Sequence, residues 1–214
     1  MKKKLYNYFE MQKRAVLRNL TKTAKAEDYN DVYSRVNDMW DKENKELVKA
    51  ITPVMKTVIE NGQEFGLEAM GVDRDIVLNQ GLILQKMNKL SGINDTIWNQ
   101  IKMNIHEGVR EGETIDDIAN RIKDVYSLAK KRATTIARTE VTSGMNEAAL
   151  EEYKENGVPQ VEWLTAGDGD VRDEHVANAA VGPLPVGSTF PSGETYPGES
   201  SVNCRCSLSP YIAN

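Results

Sequence analysis

The chain has 214 residues, 40% hydrophobic and 28% charged, with a net charge of −5 and two cysteines. That length buries a real core as one or two domains. No window approaches the roughly 18 apolar residues of a membrane span, and Met-Lys-Lys-Lys is not followed by an apolar signal core. The expectation is a protein assembled in a cytoplasm, with no membrane partner.

The charge is unevenly spread. Residues 1–26 carry Lys2, Lys3, Lys4, Lys13, Arg14, Arg18, Lys22 and Lys25 against Glu10 alone. Leu5, Phe9, Val16 and Leu20 recur on one face of that segment, so it reads as an amphipathic basic helix. Its basic face suits an acidic protein surface or weak, salt-dependent contact with nucleic acid through Lys2, Lys3, Lys4, Lys13, Arg14 and Arg18. Tyr29, Val32, Val36, Met39, Trp40, Leu47, Ile51, Met55 and Val58 continue a helical period, with Pro53 as a kink or new start and Asn61-Gly62 as an end. A third run over about 73–90 keeps Val77, Leu84 and Met87 together and is broken at Ser91-Gly92.

Ile97, Ile101, Ile105 and Val109 form a further stripe ending at Gly112; His106, on the same helix, reads as structural or solvent-facing. Thr114-Ile-Asp-Asp117 resembles a capping box for a short helix through Tyr126. Ser127 then caps a long helix closed by Asn156-Gly157. Its apolar face gathers Ala133, Ile136, Ala137, Val141, Gly144 and Ala148, and Glu140 falls inside it. A carboxylate among small apolar residues is costly unless paired, so Glu140 is expected to be buried against Arg172 or Arg205. The small residues predict that another element packs closely there.

After Gly157, Val158–Thr165 alternates as a strand with Val161, Trp163 and Thr165 on one side. Short apolar pieces near Val181–Val186, Phe190 and Ser207–Ile212 predict further short strands among many Pro and Gly. The fold class is α+β, a predominantly helical N-terminal body with a small, loop-rich, β-containing C-terminal module. Residues 1–93 read as a helical partner-binding region. Residues 94–214 follow as a second domain, with helices over 95–156 and the module over 158–214.

Cys204 and Cys206 are too close in sequence for an unstrained mutual disulfide, leaving free thiols or metal ligands. His175, Cys204 and Cys206, with Asp168 or Asp170, supply the residue types of a tetrahedral zinc site. Cys-x-Cys is a less common spacing than Cys-x₂-Cys, and the fourth ligand is ambiguous. The favoured arrangement is a metal-free polar cluster, in which an arginine fork pairs with Glu140 while His175 and Asn203 hydrogen-bond loop backbone. No cofactor is implied. The Asp170–His175 and Asn203–Cys206 turns are expected to meet, because the Pro/Gly-rich excursion between them has little apolar surface to order it.

Four pieces occur in order: Arg132-Ala-Thr-Thr-Ile-Ala-Arg138-Thr-Glu140; Trp163 followed by Asp170-Val-Arg172-Asp-Glu-His175; a Gly/Pro-rich stretch with Phe190 and Tyr196-Pro-Gly198; and Asn203-Cys204-Arg205-Cys206. The ordered set strongly resembles the phage Mu F-like head morphogenesis domain, or minor head protein family, over about 95–210. The resemblance implies a structural component of tailed-phage virions, at the portal vertex or inside the capsid. Portal or capsid protein would be its partner, with DNA packaging or ejection as possible roles and no catalytic residues. The alternative is an enzyme or effector, metal-dependent or ADP-ribosyltransferase-like, with Arg138, Ser188-Thr189 and Glu194 loosely fitting the latter pattern. Asp173 stands where the family commonly has a second basic residue, and Asn178-Ala-Ala where Gly is usual. Both departures weaken any anion-binding role for that loop.

Overall fold

The computed structural model describes residues 1–23 and 29–212, with side chains for all of these except 21–23, 29–33 and 35–37. Lys22, Lys25, Tyr29, Val32 and Val36, singled out in the sequence, have side chains outside the described residues. The elements run α1 (Lys2–Thr23), α2 (Tyr29–Met70), α3 (Gln80–Arg110), α4 (Ile115–Glu155), β1 (Gln160–Leu164), α5 (Asp173–Ala180), β2 (Leu184–Pro185) and β3 (Ser207–Tyr211). This is an α+β protein, mostly helical, with one small antiparallel sheet near its C-terminus.

The chain packs as two compact units, Met1–Pro53 with Met87–Thr134, and Val54–Lys86 with Thr135–Asn214. Their edges do not fall at the 93/94 division drawn from the sequence, because α2, α3 and α4 each run through an edge without breaking. The first unit has an apolar interior of aliphatic and aromatic side chains. Leu5, Phe9, Val16 and Leu20 of α1 are buried as the stripe predicts, as are Leu47, Ile51, Ile97, Ile101 and Ile105. Each such side chain contributes about 1.5–3 kcal/mol by leaving water. Trp40 stacks on Trp98 with ring centroids 4.9 Å apart. The buried polar groups pair together: the Tyr8 hydroxyl accepts from Gln12 and Asn94 and donates to the Glu43 carbonyl.

Three helix ends differ from those the sequence predicts. α2 continues through Asn61-Gly62 to Met70, where Gly71 (φ 68°) closes it in a Schellman motif. Gly62 serves close approach instead, since a Cβ there would lie 2.6 Å from the Met145 carbonyl oxygen. α3 starts later than expected, capped by the Asn79 side chain on the Leu82 amide, after an irregular segment over 71–79. It then passes through Ser91-Gly92, because Met87, Leu90, Ile97 and Ile101 stay in helical phase across those residues. That burial outweighs the ~1 kcal/mol penalty of an interior glycine. Val77 (76% exposed) and Leu84 (63%) do not join Met87 inside; Leu82 and Ile83 do.

The capping box is present, with the Asp117 amide donating to the Thr114 hydroxyl and the Thr114 amide to the Asp117 carboxylate. It opens a single helix, α4, rather than a short one, since Ile122, Tyr126, Ala129 and Ala133 keep the buried stripe in phase past Ser127.

In the second unit, α2 meets α4 through small residues. Gly62 and Gly66 face Met145, Ala148 and Ala149, while Gly144 faces Val58 and Ile59. The sheet has the order β2-β1-β3, both pairings antiparallel, with Val161 opposite Leu184 and Pro210, and Trp163 opposite Leu208. Val161 and Trp163 point inward, joining Ala149, Leu150, Tyr153, Phe190, Leu208 and both cysteines in one core. Helix α5 lies where the sequence carries no helix signal. Its N-cap position is Arg172, which makes no capping bond, so the usual start signal is missing.

Candidate functional site

One face of α4 fastens the chain's last segment. The Thr139 hydroxyl accepts from the Asn203 amide at 2.8 Å, and the Thr142 hydroxyl donates to the Cys204 carbonyl at 3.0 Å. The buried Asn146 side chain donates to the carbonyls of Cys206 and Pro197, and its Oδ1 accepts from the Leu208 amide at 2.9 Å. Tyr153 donates to the Leu208 carbonyl. Positions 139, 142, 146 and 153 share a helix face, so these partners are presented in a row. The segment 203–208 therefore lies against α4 through side-chain-to-backbone bonds.

Within it, Asn203 takes a left-handed conformation (φ 62°), which asparagine tolerates better than most residues. The following Cys-x-Cys turn brings both sulfurs to His175. Cys204 Sγ lies 3.7 Å and Cys206 Sγ 3.5 Å from His175 Nδ1. The Cys206 amide points at Cys204 Sγ from 3.4 Å. His175 is 2% exposed and both cysteines are buried and free. The Trp163 ring meets those of His175 and Phe190 at steep angles, 60° and 65°, with centroids 5.2 Å from each.

The far ring nitrogen, Nε2, is 3.0 Å from Ser201 Oγ and 3.4 Å from Glu194 Oε2. Burial alone would raise the Glu194 carboxyl, but the amides and hydroxyls of Ser200 and Ser201 all donate to it and hold it below its usual value. With Ser201 donating to Glu194, its oxygen accepts from His175 Nε2–H. That proton assignment follows from the network, and it leaves the Nδ1 lone pair aimed at the sulfurs. The two thiols interact directly: Cys204 donates to Cys206, which raises the former and lowers the latter. Beside the cluster is a cavity of about 20 Å³, lined in part by Asp170, Arg172 and Asn203. His175, Cys204 and Cys206 are the residues here that could hold a metal, their donor atoms all within 4.8 Å of one another.

The structure brings Trp163, His175, Asn203, Cys204 and Cys206 together. Glu140 is buried, 2% exposed, on the predicted face. The arginines expected to pair with it are engaged elsewhere. Arg205 forms a bidentate pair with Asp168, at 2.5 and 2.7 Å, and lies 3.7 Å from Asp170, whose side chain is exposed. Arg172 donates to the Val202 carbonyl at 2.6 Å. Both guanidiniums thus stay near solvent, avoiding the cost of burying an ion. Arg138 is also exposed and donates to Asn203 Oδ1. Of the loose ADP-ribosyltransferase pattern, Glu194 is committed to Ser200, Ser201 and His175. In the other unit, Lys2, Lys3, Lys4, Arg14 and Arg18 are exposed on α1, while Lys13 and Lys130 pair with Glu10.

Sequence reasoning missed Asn146, Asn178 and the full role of Glu194. Asn178 is buried and clasps Ser192, accepting from its amide and donating to its hydroxyl. The polar stripe Thr139, Thr142, Asn146 at helical spacing was the available signal.

A family model described as Phage Mu protein F like protein matches residues 99–209, more than half of the chain. An "Uncharacterized protein" of Haemophilus influenzae is 28% identical over 154 residues, covering 67% of this chain and 34% of that protein. The "Uncharacterized protein YqbB" of Bacillus subtilis is 29% identical over 133 residues, covering 52% of this chain and 44% of that one. The chain thus spans less than half the length of either relative. No solved structure matches. On the match across 99–209, the chain belongs to the phage Mu protein F-like family.

Proposed function

We propose that this protein is a minor head protein of a tailed bacteriophage with a structural role, at the portal vertex or on the capsid interior. The observation that carries this reading is family membership over a region whose polar groups are spent on internal fastening. Asn146, Glu194 and Asn178 all bind loop backbone within the module. The cavity beside His175 has about 20 Å³, room for a water but not for a nucleotide or peptide substrate. That favours a rigid plug over an active site. The helical region meets portal or capsid protein, and the exposed Lys2, Lys3, Lys4 and Arg14 of α1 give it weak contact with DNA during packaging or ejection.

The test is a reconstruction of phage heads made with and without this chain. Its density at the portal or inner capsid surface supports the reading. Heads that exclude the chain, yet assemble and package normally without it, would contradict it. Duplex DNA should bind at low salt, weaken steeply toward physiological salt, and be lost with Lys2, Lys3 and Lys4 changed to Glu. Absence of any binding at low salt removes the DNA role and leaves the protein partner.

A further inference from the structure

We propose that His175, Cys204 and Cys206 form a zinc site with one water as fourth ligand, stapling α5 to the Cys-x-Cys turn. The sequence favoured a metal-free cluster, and the geometry reverses that preference. Zinc bound tetrahedrally at ~2.3 Å from sulfur and ~2.0 Å from nitrogen sets N and S about 3.5 Å apart. The structure holds Nδ1 at 3.5 and 3.7 Å from the two sulfurs.

Three further features agree. First, the ring nitrogen facing the sulfurs is the one left without a proton, because Nε2 faces Ser201 and Glu194. A carboxylate behind a ligating histidine fixes its tautomer in this way in metal sites. Second, the donors are one imidazole and two thiols, a soft set that suits zinc and disfavours magnesium or calcium. Third, the adjoining cavity of about 20 Å³ has room for a single water, the fourth ligand of the proposed site. Zinc takes both sulfurs as thiolates, and any proton they carry leaves to solvent. The two thiolates then balance the charge of the dication. The chain between His175 and Cys204 is rich in Pro and Gly and has little regular structure, so it gains from closure at its ends.

The test uses the full chain, purified from zinc-supplemented cells. One zinc per chain is expected by elemental analysis, with an X-ray absorption shell of two sulfurs and two nitrogen or oxygen atoms. Cobalt should substitute with a tetrahedral, thiolate-bearing spectrum. Cys206→Ser should lose the metal, and Glu194→Gln should weaken zinc affinity about 10–100-fold while keeping the two-sulfur shell. If the variants fail to fold, the wild-type absorption shell still decides. A chain that takes up no zinc on titration, or binds it through a shell without sulfur, overturns the proposal.

Discussion

The α1–α3 helical stripes of the first unit and the C-terminal module hold their shapes by different means. In the first unit, buried Leu, Ile and Phe side chains repeat every three or four residues, and each interaction is non-directional. In the module, residues 158–212 contain short strands and one short helix, with loops held by side chains that bond backbone. Aliphatic interiors tolerate swaps of similar volume. Directional fastening does not, because removing one partner strands a buried donor or acceptor.

Substitutions should expose that contrast. The largest effect is expected for Asn146→Leu, which keeps bulk but strands the Leu208 amide and the Cys206 and Pro197 carbonyls. At 1–3 kcal/mol for each unsatisfied group, a loss of about 4 kcal/mol should appear in denaturant unfolding. Leu20→Ala, in the aliphatic region, should cost about 3 kcal/mol through a cavity, and Ile101→Val only about 1 kcal/mol. An Asn146→Leu chain as stable as Ile101→Val would erase the contrast.

Acid should find the same weak point. Glu194 is held below its ordinary value of 4.5 in the folded chain. Its contribution to stability is therefore present above that value and is lost as pH falls through the depressed folded value. The gap between wild type and Glu194→Gln in melting temperature should be wide at neutral pH and narrow in acid. A gap that does not change with pH would show that Glu194 stays equally protonated in both states. The smallest effect is expected for Asp168→Asn. Its bond to Arg205 is exposed, and surface pairs contribute little. The melting temperature should stay near wild type.

Legibility in the sequence follows the same division. The stripe Leu5, Phe9, Val16, Leu20 and the run Ile97, Ile101, Ile105 could be read because helix burial repeats with the helix. Gly62 and Gly92 read as stops in the sequence yet lie inside α2 and α3. A glycine can mark either an end or a close approach, and only the facing surface, Met145 and Ala148 for Gly62, decides between them. The meeting of His175 with Cys204 and Cys206 was legible from the need to close a Pro/Gly-rich excursion. Asn146, Asn178 and Glu194 were not, since their partners are main-chain groups that carry no residue signature. The pairing of Glu140 with Arg172 or Arg205 failed for a related reason: charge alone did not say that Asp168 stands nearer Arg205.

Amide hydrogen exchange tests the fastening most directly. The amides of Ser192, Ser201, Asn203 and Leu208 are bonded to Asn178, Glu194, Thr139 and Asn146 side chains. They should exchange about as slowly as amides of β1, and in the Asn146→Leu chain Leu208 should lose that protection first. If these amides exchange at the rate of free loops in the wild-type protein, the module is not held in this way.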